Sequence, residues 1–83
     1  MYQAIIKVQP LPDYQLALTF KNGEKGIFDM KPYLELEVFK PLQNQAIFNA
    51  VKISFDTIEW MDEIDIDPET LYHSCVKMVA SVL

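Results

Sequence analysis

The side chains of this 83-residue chain with the most evident chemical potential are acidic and lie close together. Seven carboxylates occur between positions 56 and 69, and no lysine or arginine interrupts them. Carboxylate oxygens are preferred ligands of Ca²⁺ and Mg²⁺, and a dense negative surface also attracts basic proteins. The stretch therefore indicates a cation site, a partner-binding surface or only a solvated edge of the fold.

The spacing of Asp65, Asp67 and Glu69 superficially resembles a calcium-binding loop. Such a loop needs a Gly at its sixth position and a late bidentate Glu, and both are missing here. Pro68 favours a helix start instead, with Asp67 as its N-cap, and inward-facing isoleucines should alternate with the acids before it. The candidates for binding a protein partner are the neighbouring residues that this local structure does not explain: Trp60, Asp62, Glu63 and Asp65.

Residues that could act in catalysis do not form a recognisable set. His73 is the only histidine, and adjacent positions on a helix point in different directions, so His73, Ser74 and Cys75 do not form a relay. The two glycines, Gly23 and Gly26, fall in one hairpin and cannot build a phosphate-binding loop. We therefore expect no enzyme activity, no catalytic residue, no metal site and no cofactor.

The composition restricts the partners and the compartment. Twelve acids and seven lysines give a net charge of −5, and the absence of arginine disfavours direct binding of nucleic acid. No apolar run reaches the roughly 18 residues that span a bilayer, and no secretory signal is visible in residues 1–7. The lone Cys75 cannot form an internal disulfide, and together with the missing signal this predicts a cytoplasmic protein. The length of 83 residues predicts a single domain over residues 1–83.

The first half of the chain predicts strands. Residues 4–9 form a weakly alternating strand that places Ala4, Ile6 and Val8 on one face, and Pro10 and Pro12 should end it. The alternation from Tyr14 to Phe20 predicts a half-buried strand, which turns back at Lys21–Gly23. A three-residue loop pairs Leu18 with Gly26 and Leu16 with Phe28, places Phe28 and Met30 in the core, and needs a left-handed residue at Gly23.

The middle of the chain predicts a segment that covers one end of the core, a short helix and a second hairpin. Asn44 should cap a helix over residues 45–51, and residues 52–60 should form a hairpin that turns at Asp56-Thr57. One end of the core should be covered by the apolar residues before the helix: Leu34, Leu36, Val38 and Phe39.

Apolar residues at spacings of three and four predict a helix that begins after Asp67 and continues to the last residues. These residues are Leu71, Tyr72, Cys75, Met78, Val79 and Val82. The stripe could pack entirely on the sheet, or its distal half could contact a second copy. We favour a buried proximal half and a distal half that forms a homodimer or partner contact, because an exposed apolar patch implies a partner.

Motifs spread over residues 3–73 resemble the bacterial family known as domain of unknown function 2442. They are residues 8–16, 20–24, 28–34, 38–42, 58–60 and 65–72, which include Phe28-Asp29-Met30-Lys31-Pro32-Tyr33-Leu34 and Asp65-Ile66-Asp67-Pro68-Glu69-Thr70-Leu71-Tyr72. The resemblance implies a small α+β domain and no established activity, cofactor or catalytic residue. It also implies a gene arrangement like that of toxin–antitoxin pairs in some members, and a following helix-turn-helix domain in others.

These observations predict an α+β fold. It would contain a small antiparallel sheet of two β-hairpins and an N-terminal strand, a short central helix and a C-terminal helix whose apolar extension covers residues 74–83. The function we expect is that of a cytoplasmic protein-interaction module, antitoxin-like or regulatory, that binds a neighbouring basic protein and no membrane. The alternative is a small-ligand or divalent-cation binding protein with its site among Asp62, Asp65, Asp67 and the Trp60 ring.

Overall fold

Over residues 2–78 the chain forms two antiparallel sheets and two short helices, so the predicted α+β class is confirmed. A computed structural model describes residues 2–78, without the side chain of Asp62. The first sheet has the order β1-β2-β3-β7, and the second has the order β4-β5-β6. The elements are β1 (Ile5–Leu11), β2 (Gln15–Phe20), β3 (Lys25–Asp29), α1 (Gln45–Phe48), β4 (Lys52–Ser54), β5 (Thr57–Trp60), β6 (Ile64–Asp65), α2 (Pro68–Ser74) and β7 (Val76–Met78), with 3-10 turns at Pro12–Tyr14, Lys31–Tyr33, Glu37–Gln43 and Met61–Glu63.

The β2–β3 hairpin has the three-residue loop that the sequence predicted. Leu16 lies opposite Phe28 and Leu18 lies opposite Gly26, which confirms the register. Gly23 has a φ of 93°, the left-handed conformation that the loop requires and that glycine adopts without steric cost. The core side chains of both strands, and Met30 after them, are consequently buried.

Strand β1 does not keep the simple alternation that the sequence predicted. A register shift between Ile5 and Lys7 changes the alternation, so Ile5 and Val8 face the core although they are three positions apart. Ile6 is 54 % exposed whereas Val8 packs against the core, so the prediction that they share one face was wrong. Pro10 also does not end the strand, which continues to Leu11, because an edge strand tolerates a residue without an N–H donor.

The segment before α1 covers the core with only part of its apolar side chains. Leu34 is buried and Phe39 packs against the core, whereas Leu36 is 51 % and Val38 is 58 % exposed, so the predicted cover was wrong at these two positions. Asn44 caps α1 as predicted, since its side chain accepts hydrogen bonds from the N–H groups of residues 46 and 47. The helix is shorter than predicted and ends at Phe48.

The second hairpin turns one residue earlier than predicted. Ser54 pairs with Thr57, so the two-residue loop is Phe55-Asp56. Thr57, which we expected in the turn, is buried in β5 and donates a hydrogen bond to the Ile66 carbonyl at 2.6 Å. Phe55 takes the first loop position with a φ of 55° and a side chain that is 98 % exposed.

Helix α2 starts as predicted but ends much earlier. The Asp67 carboxylate accepts a hydrogen bond from the Thr70 N–H at 3.1 Å, and the helix stops at Ser74. Residues 76–78 pair antiparallel with β3 as a fourth strand, so the predicted helix is wrong over this part. Val79 and Val82, and with them most of the distal stripe, lie outside the described residues.

Candidate functional site

Trp60, the aromatic member of the predicted partner surface, lies in the core. Its side chain has no exposed surface, and its indole N–H donates to the Phe48 carbonyl at 2.9 Å. The ring stacks on Phe48, which also meets Tyr14 edge-on. The prediction of Trp60 as a partner-binding residue is therefore corrected: the alternation along β5 turns it inward, and it ties the second sheet to α1.

Two of the acidic candidates, Glu63 and Asp65, lie on the surface beside this core. Glu63 is exposed and has a φ of 60°, in the turn that separates β5 from β6. Asp65 is exposed at the end of β6, between the buried Ile64 and Ile66, as the alternation predicted. The side chain of Asp62 lies outside the described set. The structure therefore separates Asp65 from the Trp60 ring and leaves it facing solvent.

A hollow of about 240 Å³ lies next to Asp65 and is lined by apolar side chains that the sequence did not indicate. We call it the aromatic groove; its walls and rim are Phe28, Tyr33, Leu36, Phe39, Asp65, Ile66, Asp67 and Thr70. The rings of Phe28 and Tyr33 stack at 5.5 Å between centroids, and Tyr33 meets Phe39 edge-on at 6.3 Å. The exposed Leu36, unexplained as a core residue, therefore forms one wall of the groove.

The rim of the aromatic groove is acidic. Asp65 and Asp67 are both exposed, and Asp67 stays at the rim because its carboxylate is held by the backbone of α2. Aromatic faces attract cations, and carboxylates accept hydrogen bonds from ammonium and guanidinium groups. An apolar floor with two carboxylates therefore fits the side chain of Lys or Arg, whose aliphatic stem packs on apolar surface while its charge meets the acids.

A second group of acids lies near the tip of the second hairpin. The Tyr2 hydroxyl donates to the Asp56 carboxylate at 2.9 Å. This hydrogen bond is the main reason that the pKa of Tyr2 is raised, and the negative charges of Asp67 and Glu69 add to the effect. Asp56 and Glu69 also line one shallow depression with Lys21, so the acidic surface continues from the aromatic groove toward the tip of the hairpin.

The remaining reactive side chains have structural surroundings. His73 lies 3.3 Å from Glu69, one helical turn away, on the exposed face of α2. Burial is the main reason that the pKa of the Cys75 thiol is raised, which disfavours the nucleophilic thiolate. Within the residues that the structure describes, no three His, Cys, Asp or Glu side chains are grouped so that they could hold a metal ion. Across residues 2–78, no helix has the length and apolarity needed to cross a membrane.

Sequence reasoning found the acids of the site but not its apolar floor. Tyr33 and Phe39 come from turns whose pattern does not show which way they face, and only the fold brings them to Asp65. The available signal was the unusual density of apolar residues from Tyr33 to Phe39 outside any strand or long helix.

A family model described as "Protein of unknown function (DUF2442)" matches residues 5–77. The match confirms the resemblance carried by the ordered motifs, and it includes most of β7 as well as every strand before it. No curated protein and no solved structure matches the chain.

Proposed function

The chain belongs to the DUF2442 family, and we propose that it is a protein-interaction module that binds a Lys- or Arg-bearing segment of a basic partner protein in the aromatic groove. The observation that carries this proposal is the aromatic groove itself, because it combines Tyr33, Phe39 and Leu36 with the carboxylates of Asp65 and Asp67. The proposal assigns no reaction to the chain.

The size of the hollow favours a side chain over a free ligand. Its volume of about 240 Å³ is below the roughly 300–1,000 Å³ of typical small-molecule sites. A partner segment can place one long side chain there and continue along the exposed acids. The net charge of −5 would accelerate encounter with a basic protein, which is the behaviour expected of the acidic member of an antitoxin-like pair.

The test is an NMR titration of the full chain with a capped leucine–arginine–leucine peptide, with a citrulline peptide as the uncharged control. We expect the arginine peptide to shift the amide signals of residues 33–39 and 64–67, with weak affinity and with a loss of binding at high salt. The citrulline peptide should bind several-fold more weakly. Equal shifts for both peptides, or shifts away from the aromatic groove, would contradict the proposal.

Two pairs of variants separate the aromatic groove from surface effects. Leu36→Ser should weaken binding of the arginine peptide. Val38→Ser should leave this binding unchanged, because Val38 is similarly exposed but does not line the aromatic groove. Asp65→Asn should likewise weaken binding of the arginine peptide more than Glu63→Gln does, because only Asp65 lines the aromatic groove. If each variant and its control behave alike, the aromatic groove is not the site.

A further inference from the structure

Phe55 combines two costly features at the tip of the second hairpin. Its side chain is 98 % exposed, and its backbone has a φ of 55°. A positive φ at the first loop position alone is the arrangement in which glycine is preferred, and a bulky residue there is strained. Since neither folding nor solubility explains a phenylalanine at this position, the strain points to a function.

The tip is held in place by hydrogen bonds with three residues outside the hairpin: Tyr2, Ile5 and Ile66. The Asp56 carbonyl accepts a hydrogen bond from the Ile5 N–H at 3.3 Å, and its carboxylate accepts one from Tyr2. At the base of the tip, Thr57 donates to Ile66, which lines the aromatic groove. Phe55 is therefore presented from a backbone that is already held in place, so the loop loses little conformational entropy on binding.

The surroundings of the tip connect it to the aromatic groove. Asp56 and Glu69 border the depression beside the tip, and the charges of Asp67 and Glu69 reach Tyr2. Asp67 also lies on the rim of the aromatic groove, so carboxylates extend from one feature to the other. Glu69 also lies within ion-pair distance of His73. Lys21 borders the same depression, where the two carboxylates of Asp56 and Glu69 outnumber it.

We propose that Phe55 is an anchor that inserts into an apolar pocket with a basic rim on the same protein whose Lys or Arg segment enters the aromatic groove. The inference rests on the proposed function for the identity of the partner. It adds a second contact, in which this chain supplies the side chain and the partner supplies the pocket. Aromatic side chains that fill a desolvated pocket near the centre of an interface are frequent sources of its affinity.

The first experiment identifies the protein that Phe55 touches. The photo-crosslinking residue p-benzoylphenylalanine replaces Phe55 in the full chain, expressed in the cells that make it, and cross-linked peptides are sequenced. We expect attachment to apolar residues of one basic protein. Attachment to a second copy of this chain, attachment to many unrelated proteins or no attachment would overturn the proposal.

The second experiment uses the purified partner and measures stability and affinity together. Phe55→Gly should raise the melting temperature by roughly 5 °C, because it relieves the strain and uncovers almost no buried surface. The same variant should weaken partner binding about tenfold or more. Val76→Thr, at a position that is 72 % exposed in β7, is the matched control and should leave the affinity unchanged.

The outcomes for the two proposals are distinguishable. Loss of affinity in Leu36→Ser but not in Phe55→Gly would retain the aromatic groove and refute the anchor. The reverse result would refute the aromatic groove and retain the anchor. A melting temperature of Phe55→Gly below that of the wild type would show that Phe55 supports the fold, and this would overturn the inference.

Discussion

Gly26→Ala probes the close approach of Cys75 and the start of β7 to β3. A Cβ atom at this position would lie 2.8 Å from the Cys75 Sγ and 3.2 Å from the Val76 carbonyl oxygen. Overpacking of this kind costs about 1–3 kcal/mol, because the side chain or the strand must shift. Gly26 does not have a positive φ, so the smaller entropy of the unfolded chain returns about 0.4–1 kcal/mol. We expect a net loss of about 1–2 kcal/mol in the free energy of unfolding.

The double variant with Cys75→Ala isolates the contact. Removal of the sulfur alone should cost about 1 kcal/mol from lost burial. It also removes the nearest obstacle to the new Cβ and leaves the contact at 3.2 Å from the Val76 oxygen. The double variant should therefore be more stable than the sum of the single effects predicts, by about 1 kcal/mol. For a domain of this size, 1 kcal/mol corresponds to a melting shift of about 4–8 °C.

Urea unfolding provides the measurement, with the fluorescence of the buried Trp60 and far-UV circular dichroism as two probes. Coincident transitions would support a two-state comparison of the wild type, the two single variants and the double variant. Gly23→Ala is the control, because its strain comes from a φ of 93° with no atom within 4 Å of the added Cβ. Its effect should add to that of Cys75→Ala. If Gly26→Ala also adds to Cys75→Ala without coupling, the close packing of β7 on β3 is refuted.

Three further predictions test contacts that stabilise the fold. Trp60→Phe should lower the free energy of unfolding by about 1–3 kcal/mol, because the buried carbonyl of Phe48 loses its N–H donor. A free energy of unfolding, measured by thermal melts, within about 0.5 kcal/mol of the wild type would contradict this. Asn44→Ala should cost about 1 kcal/mol through loss of the N-cap of α1, whereas Asn44→Asp keeps an acceptor and should cost less in the same melts. Glu24 has a pKa lowered chiefly by the hydrogen bond from Tyr72, so its carboxylate stabilises the fold above its ordinary pKa of 4.5, and this contribution is lost as the pH falls through the lowered value. Glu24→Gln should therefore show a shallower loss of melting temperature below pH 5, and parallel curves for the two proteins would refute the linkage.

Local rules were sufficient where one short stretch decides its own conformation. The three-residue β2–β3 loop follows from the inward face of β2, that of β3 and the position of Gly23, all of which lie within fifteen residues. The N-caps Asn44 and Asp67 depend on a side chain and the next three backbone N–H groups. These features were predictable because no distant part of the chain can change them.

The C-terminal prediction failed because two periodicities were compatible with the same residues. Cys75, Met78 and Val79 have helical spacing, whereas Val76-Lys77-Met78 also suits a strand. Pairing with the free edge of β3 decides between them, and the missing side chain of Gly26 leaves the space that Cys75 occupies. This decision depends on a tertiary contact, which the periodicity of residues 71–83 does not contain.

The prediction of the site was partly wrong for a similar reason. Trp60 was grouped with the acids by its position in the chain, although the alternation of β5 buries it. In the second hairpin, the β-branched Thr57 belongs in a strand, and its place in the predicted turn was the error. The side chains that form the aromatic groove come from segments far apart in the sequence, so only the folded chain places Tyr33 beside Asp65.

The pairing of β7 with β3 also has a kinetic consequence. Ile27 and Val76 pair although 49 positions separate them, whereas Leu18 and Gly26 pair across one tight loop. The longer closure costs roughly 1.6 kcal/mol more in chain entropy, so the β2–β3 hairpin should form early and β7 should join late. Until it does, the edge of β3 is open to any extended chain nearby. The last strand to join this sheet thus covers the edge of β3 and replaces it with a shorter edge of three residues.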